Sequence, residues 1–122
     1  MQWVLPALRN TETAANPALR AHALGKVMWP LWDTNRTDEL PALVTEAETL
    51  AMTVPDLASR AEVLYSCAGI QAFMGRYDEA KLTADEALRI AHASGDAWMI
   101  AMAAWARALA ADSAEERRAR ID

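Results

Sequence analysis

From Asn16 onward, apolar residues recur every three to four positions, and short polar breaks between these stretches carry residues that start or stop helices. Asn16-Pro17 sets a capping side chain before a proline at the first helical position. Leu19, Ala23, Leu24, Val27 and Met28 carry that helix forward until Trp29-Pro30-Leu31-Trp32 interrupts it. A proline inside a helix lacks the amide donor and clashes with the carbonyl four residues back, so the pattern predicts a kink or stop at Pro30. Asp33 to Arg36 read as a turn, and Asp38 as the cap of a second helix that tolerates Pro41 in its first turn and ends near Met52. Thr53 and Asp56 stand at capping-box spacing, with Pro55 in the first turn of a third helix that runs to Met74 and stops at Gly75. A fourth helix follows from Tyr77 to Ala93 and closes at Ser94-Gly95; Asp96 caps a fifth from Ala97 to about Ala111. Ser113 and Glu116 repeat the capping-box spacing and predict a sixth. Ahead of all these, residues 1–9 form an apolar stub on which Trp3, Leu5 and Leu8 share a face, and Asn10 to Asn16 read as a loop.

The helices repeat. A shift of 40 residues lays Ala80, Ala84 and Ala87 on Leu40, Val44 and Ala47, and Asp78-Glu79 on Asp38-Glu39. The same shift forward lays Ala61, Leu64 and Ala68 on Ala101, Ala104 and Ala108. A fixed period across three units, about 17–52, 55–94 and 96–122, is the signature of a stacked array within one domain, 1–122. The units differ at their turns. Asn35 and Thr37 stand where the second unit has Gly75 and Tyr77, and Glu115 and Arg117 stand there in the third.

A small residue in the first helix (Ala68), Gly75 and Tyr77 at the turn, and Ala80, Ala84 and Ala87 on one face of the second helix resemble the tetratricopeptide repeat over residues 57–94. The period of 40 exceeds the usual value of about 34 for that family, which is similar to the longer-helix arrays attached to large bacterial transcription regulators. The resemblance implies an all-α fold of antiparallel helical hairpins stacked as a right-handed superhelix. It also implies a non-enzymatic role as a protein-interaction or sensor module within such a regulator. The first helix of each pair lines a concave groove in that family. Carried over in register, this nominates His22, Trp29 and Trp32 from the first unit, Glu62, Tyr65 and Phe73 from the second, and Met102, Trp105 and Leu109 from the third. A protein or peptide is the implied partner. A small-molecule pocket and an oligomerisation domain joined through apolar ends at Trp3 and Trp98 stand as alternatives, the second giving a homodimer. The unfinished elements at both ends lead to the expectation that the parent chain continues in both directions.

Composition narrows the chemistry. With 53% hydrophobic residues but one Phe, two Tyr and few Val or Ile runs, there is little to build strands from. A net charge of −5 opposes direct nucleic-acid contact, which needs clustered cations. The basic cluster Arg117, Arg118 and Arg120 follows Glu115-Glu116 and reads as helical ion pairing. The single Cys67 cannot form an internal disulfide and, with no apolar run near the ~20 residues of a membrane span, fits a cytoplasmic location. His22 and His92 fall in different units with no acid or thiol at ligand spacing. No glycine loop cradles phosphates, and no nucleophile has a base beside it, so the reading is of no enzyme and no cofactor.

Overall fold

The computed structural model describes residues 16–121, with side chains through Ala111. Among these residues five helices follow one another: α1 (Pro17–Asp33), α2 (Leu40–Ala51), α3 (Leu57–Phe73), α4 (Tyr77–Ser94) and α5 (Ala97–Ile121). No strand occurs among the described residues, and the fold is all-α. The stub bearing Trp3, Leu5 and Leu8, and the loop beginning at Asn10, lie outside the described residues up to Ala15.

Helices α1, α3 and α5 begin at Pro17, Leu57 and Ala97, spaced by the same 40 residues as the sequence match. Side chains enforce this interval at each start. Asn16, Asp56 and Asp96 each accept a hydrogen bond from the amide three residues on, at Leu19 (3.1 Å), Ser59 (2.9 Å) and Met99 (3.0 Å). An amide otherwise left without a partner in the first helical turn is thereby satisfied, worth about 1 kcal/mol per cap. The stops repeat as well. At the end of α1 the Asn35 amide donates to Trp32 and the Arg36 amide to Leu31; at the end of α3 the Gly75 amide donates to Ala72 and the Arg76 amide to Gln71. Both pairs of bonds form a Schellman closure, which needs one residue in the left-handed region. Gly75 takes it at φ 82°, and Asn35 takes it at φ 60° in the corresponding place. Asparagine is among the side chains that tolerate this conformation, which explains why the turn survives the loss of glycine.

Four local expectations are corrected. Of the kink or stop expected at Pro30, the stop does not occur: α1 continues through Pro30 to Asp33, the lost amide donor being one bond in a 17-residue helix. Asp38 does not cap α2; Glu39 occupies the cap position without a side-chain bond, with Pro41 in the first turn. Thr53 makes no capping box. Its hydroxyl donates back to the Leu50 carbonyl (2.6 Å), Asp56 is the cap, and Pro55 precedes the helix. The break predicted between Ala111 and Ser113 is absent, and α5 is one 25-residue helix.

Packing links near neighbours in the chain. α1 lies against α2 and α3, α3 against α4 and α5, α2 against α3, and α4 against α5. The interior changes character along this series. Leu24, Val27, Met28, Leu31, Leu40 and Val44 fill the first interface. Farther along, Ala68, Ala84 and Ala106 form one contact cluster, and Ala72, Ala80 and Ala110 another. Such small side chains let helix backbones approach closely. Glu48 of α2 ties three helices together, accepting from Gln71 Nε2 of α3 and Thr83 Oγ1 of α4, both at 2.7 Å. Gln71 is buried, and its Oε1 has no hydrogen-bond partner among the described residues. No helix among the described residues is long and apolar enough to cross a membrane.

Candidate aromatic interaction surface

Three helices contribute one run of aromatic rings. Trp29 of α1 sits where the helix crosses α3, and its indole Nε1 donates to Ser66 Oγ at 3.1 Å. The indole lies against the α3 backbone at Gly69. A Cβ there would meet Trp29 Cη2 at 2.4 Å, with Cζ2 and Cζ3 at 3.2 and 3.3 Å. Real Cβ atoms do not approach other atoms this closely, so a glycine is required at position 69 for the ring to lie down on the helix.

Around Trp29 the other rings follow. Its centroid is 5.6 Å from Tyr65 and 6.0 Å from Phe73, the latter edge-on at 77°. Trp32 stacks on Phe73 at 5.4 Å, and Tyr65 meets Trp105 of α5 at 6.2 Å. The order Trp32–Phe73–Trp29–Tyr65–Trp105 is therefore continuous. All four contacts fall within the range in which aromatic pairs add about 0.5–1.5 kcal/mol beyond their burial. Trp29, Trp32 and Tyr65 are half-buried, while Phe73 and Trp105 remain 37% and 44% exposed. The strip is thus fixed from below and open above. Burial, and secondarily the charge of Glu62, push the Tyr65 hydroxyl above its ordinary pKa, so it stays neutral and able to donate.

Of the nine positions nominated from sequence, five form the strip. Glu62 lies one turn before Tyr65 and pairs with Lys26, one turn before Trp29. This pair is largely solvated and contributes little energy, but it borders the rings with charge. His22 is exposed on α1 a turn earlier and makes no ring contact among the described residues. Met102 packs half-buried against the main core, and Leu109 packs beside the cluster of Ala72, Ala80 and Ala110. Ser66 and Gly69, which hold Trp29, were not nominated. A glycine amid good helix formers was the available signal for Gly69; Ser66 gave none.

Elsewhere the side chains offer little chemistry. Cys67 is fully buried; burial, followed by the charge of Glu48, pushes its thiol far above the ordinary value and keeps it protonated. His22 and His92 lie on α1 and α4, and no group of three His, Cys, Asp or Glu side chains gathers to hold a metal among the described residues. Two surface clefts, one at the α1–α2 turn beside Arg36 and Asp38 and one between Pro55 and Ser94, include no residue of the aromatic strip. Compared with protein-family models, curated proteins and solved structures, the chain matches none of them.

Proposed function

We propose that this chain is a tetratricopeptide-like interaction module without enzymatic activity that binds a peptide segment of a protein partner along the aromatic strip. The observation that carries this reading is the continuity of the five rings across α1, α3 and α5, with Phe73 and Trp105 open to solvent. Rings already held by one another and by Ser66 lose little freedom when a ligand arrives, so contact area converts efficiently into affinity. An elongated strip on packed helices suits an extended or helical peptide with apolar anchors. The 40-residue recurrence of caps and turns supports a stacked array, and the reading extends to a right-handed superhelix with the strip on its concave side. Its place is as the cytoplasmic sensor segment of a larger bacterial transcription regulator, a step that rests on family analogy.

The test is selection of binders from a displayed random-peptide library on the immobilised chain, followed by titration of the selected peptides against Phe73→Ala and Trp105→Ala. Circular dichroism of each variant first establishes unchanged helicity. Each substitution is expected to weaken binding at least about tenfold, the loss that corresponds to removing one anchor. Peptides that bind both variants as well as the parent would refute the strip as the working surface.

A further inference from the structure

Away from the core, α5 presents Trp98, Ala101, Ala104, Trp105 and Ala108, all exposed, with Trp98 at 69%. At 100° per residue these five positions share an arc of about 120°. Met99, Ala103, Ala106 and Ala110 occupy the opposite, buried side. Forty residues earlier, the matching Ala61, Leu64 and Ala68 of α3 are buried, and Ala68 packs on Ala84 of α4 and Ala106 of α5. α5 therefore turns to solvent the kind of surface that α3 uses to seat other helices.

The geometry points to a second copy of this chain as the occupant, packed α5 against α5, antiparallel across a two-fold axis near residue 103. An isologous contact sets each residue opposite its symmetry counterpart, so a face can pair with itself only if bulky positions meet small ones and like charges do not meet. This face satisfies both conditions. With the axis at that level, Trp98 falls over Ala108 of the second copy and Trp105 over Ala101, each indole against a methyl. The exposed residues from Ala97 to Ala108 are all uncharged, and Arg107 is turned aside to Asp85 of α4 at 2.6 Å. The exposed side of α4, by contrast, carries Asp78, Glu79, Asp85 and Arg89. The arrangement continues the α1–α3–α5 succession by one more helix and closes it, so assembly stops at two.

Area sets the strength. At about 250 Å² per indole, the exposed fractions of Trp98 and Trp105 alone supply roughly 280 Å² per copy. With the alanines between them, the pair of faces stays below the ~1,200 Å² at the lower edge of specific interfaces, which makes the pairing a weak, concentration-dependent one. The inference goes beyond the peptide-binding reading and shares one residue with it, Trp105, which the test leaves untouched.

The test is sedimentation equilibrium of the whole chain from about 1 to 200 μM, with Ala101→Glu, Ala108→Glu and, as control, Leu82→Glu on the exposed face of α4. The parent and the control are expected to approach twice the 13.4 kDa chain mass as concentration rises. Both alanine variants should remain at one chain mass with unchanged circular dichroism, since glutamate is tolerated in an exposed helix. Register is read separately by mixing Trp98→Cys with Ala108→Cys chains. The mixture should form a disulfide-linked pair faster than either chain alone, with Cys67 inert in the core. A parent that stays monomeric throughout, whatever else covers the face, overturns the inference. So does a dimer that survives Ala108→Glu, or one lost with Leu82→Glu.

Discussion

Replacing Gly69 with alanine sets two effects against each other, and their balance tests the seat of Trp29. In an exposed helix the change stabilises by about 1 kcal/mol, because glycine loses more backbone freedom on folding. At position 69 the new Cβ would lie 2.4 Å from Trp29 Cη2, so the indole must move. The ring tip is the far end of a side chain, but it is anchored by Ser66 Oγ at one edge and by Tyr65 and Phe73 around it. Moving it sacrifices a hydrogen bond worth about 1 kcal/mol and two ring contacts worth roughly 1 kcal/mol each. The net expectation is destabilisation by about 1–2 kcal/mol, which lowers a urea midpoint by roughly 0.5–1 M for a domain of this size. The assay is urea unfolding followed by far-ultraviolet circular dichroism, run also in a Trp29→Leu background that withdraws the ring tip. There, Gly69→Ala should recover its intrinsic gain and raise the midpoint. The cycle should show a coupling of about 2–3 kcal/mol between positions 29 and 69. If Gly69→Ala stabilises the parent as it would any surface helix, the indole does not lie on α3 and the order of rings described above fails.

Glu48→Ala should cost about 1–3 kcal/mol in urea unfolding, because it leaves Gln71 Nε2 buried without an acceptor beside an Oε1 that already lacks a donor. Gln71→Leu, of similar size and without either polar group, should cost less; the reverse order would refute the bridging role of Glu48. Acid should weaken the fold in a defined direction. The Ser59 hydroxyl and then its amide hold the Asp56 carboxyl below its ordinary pKa, and the Arg89 guanidinium does the same for Glu86. A depressed folded pKa gives stability that is present above the unfolded value and lost as pH falls through the folded one. The urea midpoint should therefore hold between about pH 5 and 7 and fall below about pH 4, with a shallower fall in Asp56→Asn and Glu86→Gln; a midpoint that rises on acidification would contradict both assignments.

Helix boundaries were legible where one residue settles them. Gly95 and Asp96 mark the α4–α5 turn, and Asn16-Pro17 marks the start of α1, because a left-handed stop or a cap at these places has no competitor. Boundaries were misread where a local signature had an alternative use. Thr53 had the spacing of a cap, but its hydroxyl served the carbonyl behind it, leaving the cap to Asp56. Ser113 and Glu116 had the same spacing, yet nothing between Ala97 and Ile121 breaks a helix, and a helix already running satisfies those amides with backbone carbonyls. The aromatic strip was half visible. Register placed Trp29, Trp32, Tyr65, Phe73 and Trp105 on α1, α3 and α5, but contact between rings depends on how closely α1 approaches α3. That approach is governed by Gly69 and Ser66, whose importance emerges when the two helices are laid together. The bridge from Glu48 to Gln71 and Thr83 joins residues distant in sequence, and no periodicity marks it.

α3 touches each of the other four helices, and one buried cluster runs from Ala21 of α1 to Ala103 of α5, so α3 is the element through which the rest are joined. Beyond Ala103, the described side chains that α5 buries against α3 and α4 are only the alanines Ala106 and Ala110, so this part of the helix should open before α1 and α2, where the leucines and Met28 are buried. With caps and closures set locally at a 40-residue interval, the stretch from Asp56 to Gly95 carries the residues that fix both of its own ends.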